Sequence, residues 1–322
     1  MKRGYVSEKE VLVMLTGILR EDNIGSITLQ KMFNLSEVVA QLAMMVANGS
    51  SKQSKRLQRK KIFNRVRQNL KKYGKHKKSL DQQVSAKNML GVDVTKDLHQ
   101  IPIWSDKYPE SLLALPDPPI LLYVLGQPDL LNNLGVGGRV GSGVGVVGSR
   151  AMSSYGSRAT RALLRVLDDL DVVVVSGLAK GIDSAAHEIA LENDIKTVGV
   201  VPGSLDSVYV KHARELGKQI VRHGGALVSE FPCGRREFKG MFPMRNRLIA
   251  GLSKLVLIIE AGERSGALNT ASHVAELGRE LFVVPGNIFA RNSRGCNRLI
   301  SEGAQMVLSP KEFNRQVKEL LR

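Results

Sequence analysis

Apolar and polar positions change rhythm twice along the chain. From about residue 101 onward, short uninterrupted Val/Ile/Leu runs alternate with stretches of helical periodicity. Runs at 144–147, 171–175, 197–201, 226–229, 255–259 and 281–284 predict strands. Between and after them, 155–170, 184–192, 211–222, 245–252, 269–277 and 296–302 predict helices, and 311–322 closes as an amphipathic helix. Strands that are apolar at every position are covered on both faces. The pattern therefore predicts an α/β fold with a doubly wound, mostly parallel, Rossmann-like sheet. Ahead of it, residues 1–50 read as a small helical domain, in which the Ile24-Gly25-Ser26 turn is a candidate helix cap or amide contact for a phosphate. Residues 51–98 read as a basic helix running into a polar linker. In its basic part Phe63, Val66, Leu70 and Tyr73 recur at helical spacing. The expected division is 1–50, 51–98 and 99–322.

Charge sharpens this picture. The 322 residues carry a formal net charge of +17. Residues 51–78 hold thirteen Lys or Arg and no acid, whereas residues 1–50 hold five of each sign. Such a block repels itself unless counterions or a polyanion neutralise it, and nucleic acid is the obvious polyanion. A solvated helix without a partner fits the composition equally well. The sequence has no apolar run of membrane-spanning length and no secretory pattern at its start, so the cytoplasm is the expected location. Cys233 and Cys296 lie far apart, and the six histidines show no metal-ligand spacing, so neither a metal nor another cofactor is expected.

In a doubly wound sheet, ligands bind beyond the carboxyl ends of the strands. Those positions carry Gly148-Ser149-Arg150, then Ser176-Gly177-Leu178-Ala179-Lys180-Gly181, then Pro202-Gly203-Ser204. Small residues let backbone amides approach an anion, and helix N-termini behind them favour negative charge. Cations join from several loops: Arg150, Lys180, Lys211, Lys239, Arg245, Arg247 and Arg264. Phe242 lies among them and offers a ring for a base, while Asn246 offers an amide; basic groups interleaved with an aromatic suit single-stranded nucleic acid. Gly143-x-Gly145-x-x-Gly148 has dinucleotide-fingerprint spacing, but its glycines fall inside the predicted strand rather than after it, so no NAD is expected. Asp183 reads as a helix cap or dipole partner. Glu230 and Glu260 end strands, where they suit either a hydrolytic carboxylate pair or anchors for Arg245 and Arg247; no triad, metal site or Walker loop accompanies them.

Several of these segments resemble one family. VGVVGSR (144–150), SGLAKGIDSAAH (176–187), FPMRNRLIAGLS (242–253), EAGERSGALNTA (260–271), VVPGNIF (283–289) and SRGCNRLISEGA (293–304) are similar, in order, to the motifs of the DprA/Smf family, and YPESLLALPDPPILLYVLG (108–126) to its lead-in. The resemblance covers about residues 101–308. It implies an extended Rossmann-like fold, a homodimer, binding of single-stranded DNA without catalysis, and loading of RecA recombinase during natural transformation or recombination. It places DNA contacts at Arg150, Lys211, Lys239 and Phe242, with the glycine loops (Gly148, Gly177, Gly181) and Arg245 and Arg247 lining the same pocket; Ser149, Lys180, Asn246, Ser265 and Gly266 complete the candidate DNA-binding set. Val210 and Asn269 depart from the family pattern, the 135–143 run is longer than usual, and the basic segment has no counterpart. A C-terminal winged-helix-like module, common in the family, is not expected here. Two other readings compete: a phosphoribohydrolase-like enzyme on a related fold, using Glu230 or Glu260, and a duplex-DNA module built on the basic segment alone.

Overall fold

A computed structural model describes residues 8, 11, 12, 15, 35–73, 97–134, 142–206, 211–235 and 240–322. Among these, nine strands form one sheet: β1 (Leu98–Pro102), β2 (Leu121–Gly126), β3 (Ser142–Val147), β4 (Val172–Gly177), β5 (Lys196–Val200), β6 (Ala226–Ser229), β7 (Leu255–Ile258), β8 (Glu280–Val283) and β9 (Gln305–Met306). Their order is β1-β2-β6-β5-β4-β3-β7-β8-β9. Every ladder joining β3 through β9 is parallel, and β2 runs antiparallel to both β1 and β6. The described helices are α1 (Ser36–Ala47), α2 (Lys52–Tyr73), α3 (Ser154–Arg165), α4 (Ile182–Glu192), α5 (Lys211–Arg222), α6 (Met241–Leu252), α7 (Gly266–Glu276), α8 (Arg294–Ser301) and α9 (Pro310–Leu321). Short 3-10 turns lie at Glu110–Ala114, Pro128–Asn133 and Arg291–Ser293.

All six residues of β3 and of β4 are buried, which is why their sequences carry no polar alternation. On one face Val144, Val146, Val172, Val174, Leu255 and Leu257 pack against α3, α4 and α9, where Phe282 meets Phe313 edge-on at 5.4 Å. The other face carries Val173, Val175, Val198, Val200, Val256 and Ile258, covered by α5, α6, α7 and the 3-10 turn after β1. Buried side chains of α1 and α2 belong to this second cluster, so the amino-terminal helices share the core of the sheet. Gly143 and Gly145 sit within β3 against Leu252, Ser253 and Val256, as strand residues rather than a cofactor loop.

Three expectations need correction. The helix expected over 155–170 ends at Arg165. Asp168 and Asp169 would have extended it with carboxylates at its negative pole, and Leu167 and Leu170 instead pack from turns that hydrogen-bond to Leu164 and Leu167. Strands β1, β2 and β9 had no counterpart in the expected set, and β1 already begins at the end of the expected linker. The anticipated apolar stripe of the basic helix is Ile62, Val66 and Leu70, all buried, with Phe63 half-buried at 5.5 Å from Trp104. The Ile24-Gly25-Ser26 turn, the 135–141 run and residues 74–96 lie outside the described residues.

Candidate nucleic-acid interface

Strands β3 to β6 are laid down in one direction across the sheet and β7 to β9 in the other, so the topological switch falls between β3 and β7. Loops leaving neighbouring strands on opposite sides part at such a point and leave a crevice. Here the loops after β3 and β7, with the first turns of α6 and α7, enclose a cleft of about 820 Å³. Five arginines line it (Arg150, Arg245, Arg264, Arg291 and Arg294) against two acids, Asp183 and Glu263. Glu263 is paired with Arg294 at 3.7 Å, so the cleft retains an excess of positive charge. The N-terminus of α7, capped by the Ser265 hydroxyl accepting from the Ala267 amide at 3.3 Å, adds the positive end of its dipole. At the mouth, the exposed Arg150 guanidinium carbon lies 5.0 Å from the centre of the Phe242 ring. The cation thus lies over one face of the ring, which places a group for a phosphate next to an aromatic surface for its adjacent base.

The loop bearing Arg150 is held by backbone geometry. Gly181 adopts φ +94°, and a Cβ there would overlap the Ser149 carbonyl; the Ile182 amide donates to that same carbonyl at 3.2 Å. Beneath the loop Arg245 is buried. Its Nη1 donates to the Val200 carbonyl at 2.8 Å, and its Nη2 lies 3.9 Å from Asp183. Its guanidinium crosses Gly177 so closely that any side chain at 177 would displace it. Arg245 therefore forms part of the floor of the cleft, with Gly177 beneath its guanidinium.

Burial raises the Asp183 carboxyl to about 6, although Arg245 and the amides of Gly148 and Gly177 oppose the shift. One turn along α4, burial lowers His187 to about 4; its Nδ1 lies 2.6 Å from the Thr197 hydroxyl. These shifts have opposite consequences for stability. A histidine held neutral contributes stability that is present above its unfolded value of 6.5 and lost as pH falls toward 4. For Asp183 the unfolded chain releases its proton first, near 3.8, so stability is greatest below that value and declines as pH rises to about 6. The two slopes offset each other in the wild-type protein. Relative to wild type, His187→Gln is expected to lose about 3 kcal/mol between pH 4 and pH 7, and Asp183→Asn to gain a similar amount. Urea unfolding across this range checks both, and profiles parallel to wild type would contradict them.

The remaining candidates divide clearly. Gly148, Ser149, Arg150, Phe242, Arg245, Asn246, Ser265 and Gly266 come together in the cleft. Lys180 and Gly181 line an adjoining hollow of about 510 Å³ that shares Arg150 with it. Lys211 opens α5, and Lys239 lies outside the described residues. Asn246 donates to the Gly266 carbonyl at 3.2 Å and to Asn269 Oδ1 at 3.3 Å, so the departure at 269 places a second amide in the cleft. Arg247 is a correction. It is buried away from the cleft, with Nη2 2.5 Å from Glu230 and Nε 3.0 Å from Asp117. Arg291, Asn292 and Arg294 were not anticipated, although the strand-end rule applied beyond β8 points to them.

Reading Glu230 and Glu260 as a hydrolytic pair is also corrected. Glu230 anchors Arg247, and burial raises its carboxyl with Arg247 opposing. Glu260 accepts from the Ser153 amide at 2.9 Å and the Ser153 hydroxyl at 2.5 Å, fixing the start of α3. Neither lines the cleft. No group of three or more His, Cys, Asp or Glu suited to a metal occurs among the described residues, and Cys296 is a buried thiol. None of the described helices is long and apolar enough to cross a membrane.

Residues 99–318 match the family model described as DNA recombination-mediator protein A. Protein Smf of Escherichia coli is 41% identical over 215 residues, which is 67% of this chain and 55% of that protein. The chain spans about half the length of such Smf relatives. Among solved structures, DNA processing protein A from Streptococcus pneumoniae superposes with a TM-score of 0.64 at 30% identity, over 96% of this chain and 97% of that one. DNA processing protein A from Helicobacter pylori, solved for its single-stranded DNA binding mode, gives 0.61 at 30% identity over 69% and 96%. With the family match covering all of the sheet but its first residue and the loops of its cleft, the chain belongs to the DNA recombination-mediator protein A family, also called DprA/Smf.

Proposed function

We propose that the protein binds single-stranded DNA in the cleft between β3 and β7 and delivers it to RecA recombinase without chemically altering it. One observation carries the reading: the Arg150–Phe242 stack at the mouth of a cleft with five arginines and two acids. Phosphates lie along Arg150, Arg264, Arg291 and Arg294 and the amides at the start of α7, and a base stacks on Phe242. Asn246 and Asn269 face the same space with amides that suit base edges. The relative from Helicobacter pylori, whose structure concerns single-stranded DNA, supports the choice of ligand. Lys180, in the hollow that shares Arg150, extends the basic track, and Lys211 and Lys239 are the further proposed DNA contacts.

The protein acts in the cytoplasm, in transformation or general recombination, and as a homodimer. The edge strand β9 supports the dimer, because Met306 is 42% and Leu308 is 71% exposed beside it. Light scattering should give twice the 35.2 kDa chain mass; the single-chain mass overturns the dimer. RecA filament growth on a coated single strand should be faster with wild type and not with Arg150→Ala; equal rates remove the delivery role.

The binding claim is tested by titrating a fluorescent single-stranded oligonucleotide across a salt series, with an equal-length duplex as competitor. The expected slope of log affinity against log salt is about −0.7 per phosphate contacted, with the duplex failing to displace the strand. Complete displacement by duplex would contradict a single-strand cleft.

A further inference from the structure

The basic helix α2 is left without a task by the cleft. Its 22 residues include no acid, so none of its ten Lys and Arg is offset by an i,i+4 pair on the helix itself. The body of the protein neutralises Lys55 and Arg59. Lys55 Nζ lies 3.0 Å from Glu110, and the buried Arg59 lies 3.3 Å from Glu110 and 3.7 Å from Asp106. Gln58 donates to the Val38 carbonyl at 3.0 Å, and Ile62, Val66 and Leu70 are buried beneath. These contacts lock the rotation of the helix about its axis.

The locked rotation turns Lys52, Arg56, Lys60 and Lys61 outward, all exposed and with no ion pair among the described residues. Lys52, Arg56 and Lys60 follow i, i+4, i+8 and form one stripe about 12 Å long. The other exposed positions of the helix are two glutamines and Leu57. This surface differs in kind from the cleft, because it has cations but no exposed aromatic ring among the described side chains, and so nothing to receive an unstacked base. It lies apart from the cleft as well. The turn that holds α2, Glu110–Ala114, packs through Leu112 on Gly251, about 13 Å along α6 from Phe242.

We propose that the outer face of α2 binds the phosphate backbone of duplex DNA, as a second site beside the cleft. A duplex keeps its bases stacked inside and presents one phosphate per about 1.7 Å of axis. A straight row of cations on a rigidly docked helix suits that fixed array better than a flexible strand. With both sites in use, the protein sits where a single strand joins a duplex, the strand in the cleft and the flanking duplex on α2.

The test uses the full chain with three probes: a blunt duplex, a single strand of equal length, and a duplex with a single-stranded tail. Lys52→Gln/Arg56→Gln/Lys60→Gln/Lys61→Gln alters only exposed side chains and leaves the anchors Lys55 and Arg59 in place, so its melting temperature should equal that of wild type. It should bind duplex at least about tenfold more weakly, with the salt slope reduced by about 0.9 for each lost contact, and keep single-strand affinity. Arg150→Ala with Phe242→Ala should show the reverse, and the tailed duplex should bind wild type more tightly than either simple probe. Unchanged duplex affinity and slope in the α2 variant would overturn this proposal while leaving the cleft reading intact. Retained single-strand binding in the cleft variant would overturn the cleft reading and leave α2 standing.

Discussion

Arg247→Ala is expected to lower the unfolding free energy by about 3–5 kcal/mol, because it strands a buried carboxylate. Glu230 and Arg247 each have side chains 4% exposed and meet at 2.5 Å, while Asp117 completes the pair from the other side at 3.0 Å. Removing the guanidinium leaves Glu230 with its burial penalty and no compensation. Asp117, 20% exposed, retains some access to water. Replacing both partners tells the two effects apart: Arg247→Leu with Glu230→Leu should recover most of the loss, since an apolar pair carries no desolvation penalty. Urea unfolding measures both. Any folded Arg247→Ala should bind a single strand like wild type, because the side chain points away from the cleft. A loss below about 1 kcal/mol would mean the pair contributes no more than a surface bridge.

Arg150→Ala with Phe242→Ala is expected to weaken single-strand binding by two to three orders of magnitude, with stability unchanged. Base–aromatic stacking contributes about 1–3 kcal/mol, and a charge-assisted hydrogen bond to phosphate about 1.5–3. Simply summed they span roughly a hundredfold to ten-thousandfold, and because the two groups are stacked and their contributions overlap, the lower half of that range is expected. The single variants separate the two roles. Arg150→Ala should flatten the salt slope by about 0.7, whereas Phe242→Ala should lower affinity at nearly constant slope. Because the guanidinium rests on the ring at 5.0 Å, their effects should not add, and a double-mutant cycle measures the coupling. Strictly additive losses would mean the stack is not kept in the complex.

Much of this architecture was legible from pattern. The Val-rich runs of β3, β4 and β5 are buried on both faces, so burial itself wrote the signal that identifies a parallel sheet. The β1–β2 pair was less legible. β1 is five residues of mixed burial, and β2, an equally apolar run, pairs antiparallel with β6, a partner about a hundred residues away that no local pattern announces.

The cleft was legible where a residue follows its strand directly, as with Gly148, Ser149 and Arg150. It was misread where sequence adjacency stood in for direction. Arg245 and Arg247 are neighbours in the motif, but at about 100° per residue on α6 they point roughly 200° apart, one to the floor of the cleft and the other to Glu230. Arg291 and Arg294 were passed over because the segment after β8 must reach back past the loop after β7, where the Gly295 amide meets the Ala261 carbonyl, before its side chains line the site.

The most direct measurement is photocrosslinking of a single-stranded oligonucleotide carrying 5-iodouracil, followed by identification of the modified peptides. Adducts on the peptide containing Phe242, lost in Phe242→Ala and suppressed by unlabelled single strand but not by duplex, are the predicted result. Adducts confined to α2, with Phe242 unmodified, would contradict a single-strand site between β3 and β7.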